Sequence, residues 1–173
     1  MPLVELQIVK PEAAPILSNL LELYCHDLSA LFGLHVGPDG RFGYPHLPLY
    51  WTEPARRFAF FTVVDGQLAG FALATRGSSA TANPSDLDVA EFFVLRAFRE
   101  KGIGAQAAFL LWDKLIGHWV VRAATNNKAA VVFWRRSIAA YTAGAYLERT
   151  LELAGVTRQV FELDTRGGRR EFS

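Results

Sequence analysis

Glu91-Phe92-Phe93-Val94-Leu95-Arg96-Ala97-Phe98-Arg99-Glu100-Lys101-Gly102-Ile103-Gly104-Ala105 reads as the end of a strand, a glycine-containing loop and the first turn of a helix. Beyond it, Ile103, Ala107, Leu110, Leu111 and Leu115 fall on one stripe of a helix over 103–116. The first amides of a helix have no partners within it and carry the positive end of its dipole. Glycines beside those amides let phosphate oxygens approach the backbone, so the segment forms an anion site suited to a pyrophosphate. Arg99 and Lys101 add positive charge at its mouth.

Working outward, Asp88 to Leu95 is the strand that delivers this loop. Upstream, Phe58–Val64 and Gln67–Thr75 are apolar runs joined at Asp65-Gly66, a dipeptide that supplies the positive φ angles of a tight hairpin. Val4 to Lys10 alternates as a first strand, and Ile16, Leu17, Leu20, Leu21 and Tyr24 place a helix over 12–27. Residues 33–54, dense in glycine, proline and aromatics, predict a loop with at most a short helix. Downstream come a strand at 119–123, a helix over 127–138, and a closing hairpin of 146–153 and 156–164 across Ala154-Gly155. With no repeat and no linker, residues 1–173 read as one mixed α/β domain.

Three readings fit the loop. One is a plain strand-to-helix turn whose glycines serve geometry alone. Another is a dinucleotide site, because Gly102-x-Gly104-x-x-Ala107 fits a loose Rossmann pattern. That pattern needs an acidic residue ~20 positions on, to hold a ribose, and Ala123 and Ala124 stand there instead. The third is a family resemblance. Arg99-x-x-Gly102-x-Gly104 resembles the coenzyme A signature Arg/Gln-x-x-Gly-x-Gly/Ala of the general-control-related N-acetyltransferase (GNAT) superfamily. Asn127-x-x-Ala130-x-x-Phe133-Trp134 is similar to that superfamily's Asn-x-x-Ala-x-x-aromatic-Tyr helix, and Asn126-x-x-Ala129 fits the same pattern one residue earlier.

The resemblance implies a mixed, mostly antiparallel sheet whose central strands splay apart between flanking helices. It also implies acetyl-coenzyme A as the acyl donor, with its pantetheine arm in the gap beside Val94. Arg99, Glu100, Lys101, Gly102, Ile103, Gly104 and Ala105 would surround the pyrophosphate, and Asn127 would position the cofactor from the next helix. The implied activity is N-acetyltransfer to an amine by direct attack, and the alternative is a regulatory module of the same fold that binds acyl-coenzyme A without turnover.

Acetylation of an amine requires loss of a proton from the ammonium, stabilisation of an oxyanion and a proton for the departing thiolate. Glu91 is the first candidate for the base and Asp88 the second, with an outward-facing strand carboxylate as the alternative role for either. The amide of Val94 is the expected oxyanion donor. Trp134 stands where many superfamily members carry a tyrosine, and an indole N–H is a donor but no proton source at neutral pH. Tyr141 lies seven residues beyond Trp134 on the same helix face, too far along the axis to substitute if the helix continues. Tyr24, Asp27, Tyr44 and Trp51 fall where the superfamily builds its acceptor pocket, though the aromatics also suit a small core beneath a long loop.

Composition narrows the field further. The chain is 51% hydrophobic and 20% charged, with eighteen basic and seventeen acidic residues, and shows no basic excess of the kind a nucleic-acid binder carries. Arg166, Arg169 and Arg170 read as a solvated C-terminal tail. No apolar run reaches the ~18 residues of a membrane span, and the N-terminus lacks the marks of a signal peptide. A lone Cys25 excludes an intrachain disulfide and suits a cytoplasmic protein. The four histidines are scattered, so no metal is expected. A small-molecule or peptide amine is the expected partner, and the sequence leaves open whether the protein is a monomer or a homodimer.

Overall fold

The runs at 57–64 and 67–76 are apolar on both faces, which requires cover on both sides. The computed structural model, which describes residues 1–170, places them inside one seven-stranded sheet between two helical layers. The strands are β1 (Val4–Ile8), β2 (Arg57–Val64), β3 (Gln67–Arg76), β4 (Leu87–Val94), β5 (His118–Ala124), β6 (Leu147–Leu153) and β7 (Val156–Asp164). Their order is β1-β2-β3-β4-β5-β7-β6, antiparallel except for the β4–β5 pair. Helices α1 (Ala14–Phe32) and the one-turn α2 (Leu49–Thr52) cover one face, and α3 (Ile103–Lys114) and α4 (Lys128–Thr142) cover the other. Alternation along each strand divides the core: Phe60 and Ala72 belong to the α3–α4 layer, while Phe61 and Phe71 belong to the α1 layer.

Both hairpins form where their dipeptides predict. Asp65 and Gly66 take φ of 49° and 79°, and Ala154 and Gly155 take 51° and 75°, two consecutive left-handed residues in each turn. Helices α1 and α4 overrun their predicted ends, whereas α3 stops at Lys114, short of the expected Ile116. Leu28, Leu31 and Phe32 continue the apolar spacing of α1 five residues past Asp27, until Gly33 supplies a left-handed cap at φ 62°. Helix α4 likewise passes Ile138 and stops at Ala143, φ 51°. Strand β1 ends at Ile8 rather than Lys10, because Pro11 opens a 3₁₀ turn.

The basic C-terminal residues are not simply solvated. Arg166 pairs with Asp164 at 2.9 Å, the Arg169 guanidinium lies 4.6 Å over the Phe109 ring, and the Arg170 amide donates to the Tyr141 carbonyl at 3.0 Å. The Arg169 and Arg170 contacts dock the segment onto the α3–α4 pair. No helix among the described residues is long and apolar enough to cross a membrane.

Candidate active site

A break in the sheet makes the site. Strands β4 and β5 pair only at Leu87–Trp119 and Asp88–Val120, then part. The cause lies in β4, where Leu73 opposes Glu91 and Ala74 opposes Val89, leaving Ala90 as an inserted residue. Such a bulge bends the strand and sharpens its twist. Close approach of β3 holds the far end of β4: a Cβ on Gly70 would lie 2.0 Å from the Phe93 carbonyl oxygen. The gap widens into a cleft of about 1220 Å³ lined from both helical layers, with Glu91 and Tyr24 on one side and Gly102, Gly104 and Asn127 on the other.

The β4 edge supplies backbone groups to this cleft. The Leu95 amide donates to the Ala69 carbonyl on β3 at 2.8 Å, so strand alternation turns the N–H and C=O of Val94 toward the gap. The Val94 carbonyl accepts from Arg99 Nε at 2.7 Å, and its amide faces the open side. Glu100 and Gly102 take φ of 62° and 75°, folding the loop sharply into the N-terminus of α3. Gly102 has no side chain to cap the helix, which leaves the first amides for an anion. The Ile103 side chain is in the core, so its contribution to the cleft is its backbone. The Lys101 ammonium turns back to the Ala97 carbonyl at 3.0 Å and is absent from the cleft wall. At Gly104 a Cβ would come within 2.9 Å of the Phe133 ring, so glycine there lets α3 and α4 pack closely. Asn127 caps α4, accepting from the Ala130 amide at 3.2 Å, while Asn126 Nδ2 donates to the Leu31 carbonyl at 3.2 Å and ties α1 to the β5–α4 turn.

The bulge also decides where Glu91 points. Val89 and Phe92 both face the α3–α4 layer, so the two residues between them share the α1 side. The Glu91 carboxylate accepts from the Tyr24 hydroxyl at 2.6 Å and from the Tyr44 hydroxyl at 3.2 Å. Burial pushes its carboxyl above the usual carboxylate range, against the two phenol hydrogen bonds and the Arg122 charge that favour ionisation. The same burial, with the Glu91 charge alongside, holds both phenols well above their ordinary range.

Asp88 has a different environment. It is fully buried, accepts from Arg122 Nε and Nη2 at 2.8 Å each, and takes a further hydrogen bond from the Ser78 hydroxyl. Neither carboxylate is an outward-facing strand residue. Arg122 was not among the sequence candidates, although an arginine inside the apolar run Trp119–Ala124 signals a buried ion pair.

Asp27 pairs with Arg96 at 2.9 Å and with Arg99, so its charge is committed to the loop arginines. Trp51 donates from Nε1 to the Val9 carbonyl at 3.0 Å and packs with Tyr44 in the α1-side core, away from the cleft wall. Trp134 lines the cleft with its ring edge-on to Phe92 at 5.0 Å. Tyr141 is fully buried on the continued helix, and its hydroxyl donates to Asp113 at 2.7 Å.

Solved structures share this fold. An acetyltransferase from Thermus thermophilus is similar with a TM-score of 0.66 at 18% identity, over 93% of this chain and 96% of that one. Aminoglycoside acetyltransferase AAC(6')-Ib in complex with coenzyme A and kanamycin is similar at 0.69 and 11%, over 94% and 95%. The acetyl transferase from Salmonella typhimurium that modifies the N-terminal serine of 50S ribosomal subunit protein L7/L12 is similar at 0.64 and 12%, over 93% and 94%. No curated protein matches the chain in sequence. The model of the acetyltransferase (GNAT) family matches residues 19–139, which contain the bulged strand, the α3 loop and Asn127, and the chain belongs to that family of acyltransferases.

Proposed function

We propose that the protein transfers an acetyl group from acetyl-coenzyme A to an amine by direct attack, with both substrates bound at once and Glu91 as the base. The observation that carries this reading is that a half-buried carboxylate of raised pKa, held by two tyrosine hydroxyls, lines the same cleft as the uncapped N-terminus of α3. The donor supplies an acyl group activated as a thioester. The amides of 100–105 hold its pyrophosphate, Arg99 adds charge beside them, and Asn127 shapes the opposite wall. The Val94 amide, directed into the gap, stabilises the charge that develops on the acyl oxygen.

Glu91 lies on the α1 face of the sheet and the α3 loop on the other, so the amine enters from the α1 side. As the nitrogen attacks, Glu91 takes its proton, while the tyrosine hydroxyls hold the carboxylate in place. Asp88 is committed to Arg122 and does not take up the proton. Trp134 has no acidic proton and Tyr141 points to Asp113, so the departing thiolate is protonated by water. Acceptors as different as kanamycin and an N-terminal serine belong to similar structures, so the acceptor is set by the lining of the α1 side rather than by the fold.

The test is Glu91→Gln, which keeps shape and hydrogen bonding but cannot accept the proton. Its kcat should fall by roughly 10²- to 10⁴-fold, the usual loss for a general base, with acetyl-coenzyme A affinity by calorimetry unchanged. A variant of undiminished kcat would remove Glu91 from the chemistry.

A further inference from the structure

Resting on the acetyl-transfer reading, we propose that the acceptor is a monoamine with an apolar body, an arylalkyl or alkyl amine, and that the last two turns of α1 select it against polycations. Charge on the cleft wall is the first ground. Of its cationic side chains, Arg99 and Arg122 are paired with Asp27 and Asp88, while Lys128, Arg136 and Arg158 carry no ion-pair partner among the described residues; its anionic side chains are Asp27, Glu91 and Glu100. Asp27 already holds two arginines, and Glu100 belongs to the α3 loop on the far side of the sheet. Glu22, the other acid of α1, is occupied by the Phe42 and Gly43 amides at 2.7 and 2.9 Å and by Arg41. Glu91 therefore remains, among the described residues that line the cleft, as the carboxylate of the α1 face with no salt-bridge partner. One such charge matches one ammonium. A second or third ammonium would meet no unpaired acid on the α1 side of the cleft wall and would add to the charge of Lys128, Arg136 and Arg158.

The shape of α1 is the second ground. Tyr24, Leu28 and Leu31 lie at i, i+4 and i+7, one face of the helix, so an apolar strip runs from the tyrosine that binds Glu91 toward the cleft mouth. Phe32 and Leu34 extend it, and Leu31 and Leu34 are 41% and 38% exposed. At 1.5 Å per residue the strip from Tyr24 to Leu31 is about 10 Å long, the length of an extended octylamine and enough to cover the shorter phenylethylamine. The Asn126–Leu31 hydrogen bond fixes its outer end against the β5–α4 turn. An amine whose nitrogen reaches Glu91 would lay its carbon chain on this strip.

The experiment measures kcat/KM by thiol release with acetyl-coenzyme A for 2-phenylethylamine, octylamine, spermidine and kanamycin, alongside calorimetry of acetyl-coenzyme A binding. The apolar monoamines should exceed both polycations by tenfold or more. Leu31→Asp and Leu34→Asp change exposed positions, so both should fold, as circular dichroism would verify. Each should lower the phenylethylamine value at least tenfold and narrow the gap to spermidine, with cofactor affinity unchanged. Equal or better turnover of the polycations, or rates insensitive to both substitutions, overturns the proposal. Absence of turnover on all four amines with acetyl-coenzyme A binding intact overturns it and leaves the cofactor site standing, whereas absence of acetyl-coenzyme A binding overturns the underlying reading as well.

Discussion

Glu91 sits between opposing influences on its charge. Burial favours the neutral acid, while the Tyr24 and Tyr44 hydroxyls and the nearby Arg122 favour the carboxylate, and the net displacement is upward. A base works only when ionised, so the acid limb of the kcat/KM profile should lie above the ~4.3 of an unperturbed glutamate. Replacing Tyr44 by phenylalanine removes a donor that stabilises the charged form, so the pKa must rise and the limb move to still higher pH. Profiles of the wild type and Tyr44→Phe would show this directly, and a limb that stays put or moves down would mean that the Tyr44 bond does not act on the base. Asp27 shows the converse of Glu91. As a sequence it offers a carboxylate near the acceptor pocket, yet Arg96 and Arg99 occupy it, because α1 and the β4–α3 loop meet there.

At the level of elements, β4 carries the design of the site. Its inserted residue Ala90 places Glu91 on the α1 side and Phe92 on the other, since a one-residue shift exchanges the faces of a strand. That geometry depends on β3 lying against the end of β4 at Gly70. A methyl group there would meet the Phe93 carbonyl at 2.0 Å, and a backbone oxygen cannot swing aside as a side chain can. Gly70→Ala should therefore cost about 3 kcal/mol of stability, at the upper end of overpacking penalties. Urea unfolding with an unchanged m-value would measure it, and a loss below about 0.5 kcal/mol would show that the two strands separate easily. The overrun of α1 past Asp27 belongs to the same scale: Leu28, Leu31 and Phe32 continue the helical spacing, and Gly33, not the acidic residue, marks the end.

For the molecule as a unit, the cleft is a gap between two halves of a sheet joined at only two residue pairs beyond the β3–β4 and β5–β7 ladders. A ligand that bridges the α3 loop and the β4 edge ties the halves together and binds only the folded protein. Mass action then gives about 2.7 kcal/mol at a concentration of 100 Kd. Acetyl-coenzyme A should raise the melting temperature by several degrees, and NAD and ATP far less, because neither has a pantetheine arm to lie along β4. Equal protection by all three in a melting assay would reduce the site to a generic phosphate cradle.

Local chemistry accounts for the features that are legible in the sequence alone. Asp65-Gly66 favours a left-handed turn, Gly155 marks the second hairpin, the apolar spacing from Ile103 places a helix, and Gly102 and Gly104 mark the turn from strand to helix, because each depends on residues within a turn of one another. The contacts that give the carboxylates their roles are far apart in sequence. Asp88 meets Arg122 across 34 positions, Glu91 meets Tyr24 across 67, and Asp27 meets Arg99 across 72. Which acid is paired, which is buried and which remains open to an amine follows from the meeting of β4, β5 and α1, and the charge of a carboxylate depends on the groups within a few ångströms of it, whatever their distance along the chain.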